Sequence, residues 1–275
     1  MLSTFAVDGS TGPVGGWADG EGPDLLLVHG GPGLSDYMSL LGGETAGWRS
    51  IGYQQRGLAP STIEPPFTVE QHVADALAVL SAQAAGPAVV LGHSWGGHLA
   101  LQIALADPRR VRGVVVVDGL GSVHDGGAPR LGAELRRRLP ADKAAACAQL
   151  DERLASEEAN DDLALESLRL VWPSYFADPT TAPAPPPDLA MSRACAVGTT
   201  MSAMNEIAEG GFSERLKGLG VPVIVMVGAR SPMPVDVGET TAGLCGGDLR
   251  VVKRGGHLPW HEEPGCVAEA LSAFF

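Results

Sequence analysis

The run Gly92-His93-Ser94-Trp95-Gly96-Gly97 sets a serine between small neighbours. A serine hydroxyl is a weak nucleophile until a neighbouring base takes its proton. The apolar stretch AVVLGHS (88–94) reads as a buried strand leading straight in, and WGGHLALQIALADP (95–108) as a helix leading straight out. Between such elements G-x-S-x-G forms a one-residue turn that lifts the hydroxyl above the sheet. Positions 92 and 96 then crowd neighbouring backbone, so only a very small residue fits. The helix N-terminus beneath the serine favours developing negative charge. His257, after Gly255-Gly256, follows the last expected strand and comes after Ser94 in chain order, which suits it as the general base.

The elements that must position these groups alternate. Residues 3–7 and 14–18 read as an exposed antiparallel start, and 25–28 (LLLV) and 49–53 as strands. Val69, Val73, Leu77 and Leu80 recur at threes and fours, which predicts a helix over 68–84. VRGVVVVDG (111–119), VPVIVMVG (221–228) and DLRVVKRGGH (248–257) add strands, and 264–275 a last helix. Strands apolar on both faces and separated by helices describe a parallel sheet covered on both sides. The alternation breaks between about 122 and 215. Helical stretches at 130–172 and 190–210 flank a Pro-rich connector, 178–188, which no helix tolerates. The expected organisation is therefore a core over 1–121, a helical cap insertion over 122–215, and the rest of the core over 216–275. The cap would sit over the carboxyl ends of the strands, where open α/β sheets bind ligands.

With these residues in place, the chain resembles an α/β-hydrolase over nearly its whole length. That implies a mostly parallel eight-stranded sheet with helices on both faces. More narrowly, His29-Gly30-Gly31-Pro32-Gly33 resembles the HGGPG signature of the proline iminopeptidase family. Tyr53-Gln54-Gln55-Arg56-Gly57 is similar to that family's DQRG segment, with Gln54 where Asp is usual, and Met204-Asn205-Glu206 to its cap-borne NE pair. Acyl transfer needs two N–H donors on the oxyanion. One would come from Trp95, after the nucleophile, and the resemblance implies Gly31 for the other. Glu206 matches a cap carboxylate that pairs with a substrate's free α-amine. A second acidic residue commonly follows the triad acid, and here that place is Pro232.

The acid departs from the family's pattern. Ser231 occupies the position where relatives carry Asp, in Gly228-Ala229-Arg230-Ser231-Pro232-Met233-Pro234. A hydroxyl can orient an imidazole but cannot stabilise imidazolium as a carboxylate does. Asp118 is the substitute preferred here. It ends the sixth strand, where some α/β-hydrolases, the haloalkane dehalogenases among them, carry their acid, and Ser94, Asp118, His257 keeps the fold's chain order. Asp236, a dyad without an acid, and Ser231 itself stay open. His29, His93, His98 and His261 read as structural, and His72 and His124 have no motif context. Arg136-Arg137-Arg138 reads as a solvated helix face. Trp172, Tyr175 and Phe176 suit either a pocket under the cap or the cap's own core.

Composition narrows the function. The 275 residues carry 19 Lys and Arg against 32 Asp and Glu, a net charge of −13, which argues against nucleic-acid backbone and anionic membrane partners. Four cysteines without CxxC spacing do not suggest zinc or thioredoxin chemistry. The start lacks a basic segment followed by an apolar one, and no apolar run reaches about 18 residues, so a cytoplasmic protein with free thiols is expected. The leading expectation is a serine hydrolase that cleaves an ester or amide of a small molecule or short peptide derivative through an acyl-enzyme on Ser94, with no metal or organic cofactor. The alternatives are an acyltransferase or cyclase using the same site, and a non-catalytic binding protein. Epoxide hydrolysis and dehalogenation want a carboxylate nucleophile at position 94.

Overall fold

The computed structural model describes residues 2–124 and 126–275. Leu25 and Leu27 point to one face of the third strand and Leu26 and Val28 to the other, and each pair enters a different apolar cluster. That period-two alternation, with all four side chains buried, is what a strand covered on both faces requires. The strands are β1 (Ser3–Gly9), β2 (Gly12–Asp19), β3 (Asp24–Val28), β4 (Arg49–Tyr53), β5 (Ala88–His93), β6 (Val111–Val117), β7 (Val223–Gly228) and β8 (Asp248–Val252). They form one eight-stranded sheet in the order β1-β2-β4-β3-β5-β6-β7-β8. The β1–β2 and β2–β4 pairs are antiparallel, and the remaining pairs are parallel. The α/β-hydrolase architecture expected from the sequence is thereby shown.

Helices α1 (Val69–Gln83) and α2 (Trp95–Ala106) follow β4 and β5. Thr68 caps α1 by accepting from the Gln71 N–H. Every residue of α2 from Trp95 to Ala104 is buried, which explains its apolar character all round. After β6 come α3 (Ala128–Arg137), α4 (Ala141–Leu154), α5 (Asp161–Val171), α6 (Arg193–Ala208) and α7 (Gly211–Leu216). Helix α8 (Val235–Cys245) follows β7, and α9 (Cys266–Leu271) closes the chain before a 3-10 turn at Ser272–Phe274. The last helix is shorter than the 264–275 expected. Its start is fixed by a distant group: the Glu44 carboxylate accepts from the N–H groups of Gly265, Val267 and Ala268 at 2.5–3.0 Å.

The 122–215 stretch has two kinds of packing. Leu135, Cys147 and Val171 form a small cluster of their own among α3, α4 and α5. Ala203, Ile207, Phe212 and Leu216, from α6 and α7, join the main core instead. A four-residue 3-10 turn, Trp172–Tyr175, closes α5 and leans toward the carboxyl ends of the strands, where the Tyr175 carbonyl accepts from the His257 N–H.

Candidate active site

Ser94 has φ 55° and ψ −122°, a backbone region that L-residues rarely adopt. The glycines on either side make this turn possible. A Cβ at Gly92 would lie 2.0 Å from the Gly96 carbonyl oxygen, and one at Gly96 would lie 2.1 Å from that of Val28. Both obstacles are backbone and cannot swing aside. Ser94 is also the N-cap of α2, yet its side chain makes no capping hydrogen bond. Its hydroxyl is therefore not spent on the helix. The Trp95 N–H is among the first-turn donors that a helix leaves without an intrahelical partner.

Asp118 sits just past β6, also at positive φ, 46°. Its carboxylate is almost fully buried and accepts three donors. Oδ1 takes the Gly228 N–H at 3.0 Å. Oδ2 takes His257 Nδ1 at 2.5 Å and the Ser231 hydroxyl. Ser231 in turn accepts the Met233 N–H at 2.9 Å. With Nδ1–H committed to the carboxylate, neutral His257 presents Nε2 as its basic nitrogen. His257 is 3% exposed and the Tyr175 ring stacks on it at 5.1 Å.

A cavity of about 70 Å3 joins Ser94, His257 and Gly31, with walls of Leu34, Leu168, Trp172, Leu189 and Leu258. Gly31 stands at φ 63°, in the turn closed by the Leu34 N–H on its carbonyl at 2.9 Å. So Ser94, Gly31, Asp118 and His257, read from four separate segments, come together. Trp95 follows directly at the head of α2. The apolar lining from Leu168, Trp172 and Leu189 belongs to the 122–215 stretch. Nothing in the local sequence marks Leu168 or Leu189, because their role comes from which loop they face.

A family model described as the alpha/beta hydrolase family matches residues 25–270. The chain belongs to the alpha/beta hydrolase family. Epoxide hydrolase B of Mycobacterium tuberculosis is 33% identical over 104 residues, 35% of this chain and 29% of that protein. Proline iminopeptidase of Saccharolobus solfataricus is 35% identical over 127 residues, 44% of this chain and 39% of that protein. The match thus spans less than half the length of either curated relative. A solved proline iminopeptidase-related protein from Thermus thermophilus superposes with a TM-score of 0.70 at 21% identity. The superposition covers 100% of this chain and 97% of that one, a likeness of fold. The resemblance to proline iminopeptidases read from HGGPG and the serine turn is supported by the Saccharolobus solfataricus relative. Among the described residues no helix is long and apolar enough to cross a membrane.

Other sequence-read residues of this alpha/beta hydrolase lie elsewhere. Glu206, on α6, accepts from Gln102 Nε2 at 2.6 Å and lies 3.7 Å from Arg215 Nη2; it does not line the Ser94 cavity. Burial raises its carboxyl pKa. Asp236 heads α8 and is paired with Arg130 at 2.9 Å, on an exposed surface rather than at His257. Arg136 pairs with Asp151 and Arg137 with Glu134, in keeping with a solvated face. Arg138 differs, donating to the carbonyls of Ser174, Phe176 and Arg230. Arg56 is fully buried and grips Asp75 with two hydrogen bonds, Nε at 2.8 Å and Nη2 at 3.0 Å, so the DQRG-like segment is a structural clamp.

The structural histidines include one with a task that its motif position did not disclose. Burial pushes the His93 pKa well down, so its ring is neutral and has one donor and one acceptor nitrogen. Nε2 faces the His257 carbonyl at 2.8 Å and must donate. Nδ1 therefore accepts from the Tyr37 hydroxyl at 2.6 Å, and the Tyr37 oxygen accepts the Gly30 N–H at 2.9 Å. This chain of bonds runs from the HGGPG loop to the backbone of His257. Tyr37 carried no signal in the sequence, since its partner lies 56 residues away.

Proposed function

We propose that the chain is a serine hydrolase acting on an ester or amide of a small molecule with an uncharged, apolar acyl group. His257 Nε2 takes the proton of Ser94 while Oγ attacks the carbonyl carbon. Asp118 holds the ring in the required tautomer and stabilises the imidazolium. The N–H groups of Gly31 and Trp95 receive the oxyanion. His257 then returns the proton to the leaving group, and water activated by the same nitrogen releases the acid.

One observation carries this reading. Ser94 and His257 line a common cavity, and the far nitrogen of His257 is held by Asp118 at 2.5 Å. The acyl preference follows from the leucine and tryptophan walls, to which the 122–215 cap contributes Leu168, Trp172 and Leu189. Neither iminopeptidase nor epoxide hydrolase chemistry is favoured. Glu206 is engaged by Gln102 outside the cavity, so a free α-amine meets no carboxylate among the lining residues. Epoxide opening wants a carboxylate where Ser94 stands. The apolar lining also favours a second reading, transfer of the acyl group to an amine or alcohol, since water is disfavoured there.

The test is labelling with a fluorophosphonate probe. Labelling of the wild-type protein and none of Ser94→Ala is expected. Equal labelling of both, or none of either, removes the catalytic reading. Mass spectrometry of products formed with an added alcohol then separates hydrolysis from transfer.

A further inference from the structure

A second, larger cavity of about 910 Å3 lies among α3, α4, α5 and the Trp172–Tyr175 turn. Its volume falls within the roughly 300–1,000 Å3 of small-molecule sites. The same short turn divides it from the catalytic cavity. Trp172 and Tyr175 line the Ser94 side, and Pro173 and Ser174 line this one. Leu139, Leu150 and Leu170 give it apolar walls.

Charge points to an occupant. Arg138, Lys143, Arg153 and Arg169 line the cavity against a single carboxylate, Glu166, in a chain whose net charge is −13. Arg138 is paired with Glu134 and Arg153 with Glu158, but Lys143 and Arg169 have no ion pair among the described residues.

We infer that this cavity is a binding site for an amphipathic aliphatic carboxylate. Its chain lies on the leucines, and its charge is met by Lys143 and Arg169. The site does not depend on Ser94 chemistry.

Calorimetric titration with decanoate tests it, with decan-1-ol as the neutral control. Decanoate is expected to bind Ser94→Ala at one site, and decan-1-ol at least about tenfold more weakly. The added pair Lys143→Glu and Arg169→Glu should weaken decanoate about tenfold or more. Both side chains are exposed and without an ion pair among the described residues, so the variant should keep its circular dichroism and Tm. No decanoate binding into the millimolar range overturns the inference. So does equal affinity for decanoate and decan-1-ol, or affinity unchanged by the charge reversals.

Discussion

Asp118 and His257 are 139 residues apart in the chain, yet Oδ2 of one lies 2.5 Å from Nδ1 of the other. The same oxygen accepts the hydroxyl of Ser231, the residue that stands where proline iminopeptidases carry Asp. The loop after β7 thus supports a carboxylate supplied by the neighbouring strand β6, with which β7 pairs in parallel.

Removing the charge of that carboxylate while keeping its shape isolates its role. Asp118→Asn should lower kcat by roughly 10²–10⁴-fold with an unchanged fold, since asparagine tolerates the positive φ. Steady-state kinetics with a p-nitrophenyl ester, beside circular dichroism, checks this. Turnover equal to wild type would remove Asp118 from the mechanism.

The serine turn leaves no room at its glycines. Gly96→Ala should destabilise by more than about 3 kcal/mol, because the added methyl meets the Val28 carbonyl. Urea denaturation measures it, and a change below about 1 kcal/mol would contradict the close approach.

Tyr37→Phe should cost about 1–3 kcal/mol, since it strips His93 Nδ1 of its donor and the Gly30 N–H of its acceptor. A fall in kcat should accompany it, because His93 holds the His257 carbonyl. Stability at the wild-type level would show that water replaces the hydroxyl without loss.

Four buried histidines predict a pH dependence of stability. Burial lowers the pKa of His29 and His93, and takes those of His72 and His98 to about 3. Their unfolded pKa is about 6.5. Above that value neither state binds a proton, and the stability is fully present. Below it the unfolded chain binds protons that the folded chain refuses, so stability falls as the pH drops from about 6.5 toward the folded values. Each histidine contributes up to about 1.4 kcal/mol per pH unit there. Urea midpoints from about pH 8 to about pH 5 should be flat and then decline, with a gentler decline in His72→Gln. A midpoint that rises on acidification below the unfolded pKa would reverse the sign and refute the account.

The apolar walls set acyl length. Leu168→Ala should raise kcat/KM for a hexanoyl ester relative to an acetyl ester by about tenfold. An unchanged ratio would mean that the acyl group lies elsewhere.

The features legible in one dimension are mostly local. The strands and the larger helices follow from apolar periodicity, and Ser94 from glycines that crowd a single turn. Chain order then names His257. Those signals survive in a linear string because each rests on neighbours within a few residues. Long-range packing settles the rest. It seats Asp118 rather than Asp236 beside His257, and turns Ser231 into a donor to that carboxylate. It holds Glu206 on Gln102, and recruits Glu44 to start α9 across 221 residues of chain. Parallel strands with crossover helices bring distant strand ends together, so a hydrogen-bond partner on an adjacent strand leaves no mark on the sequence spacing.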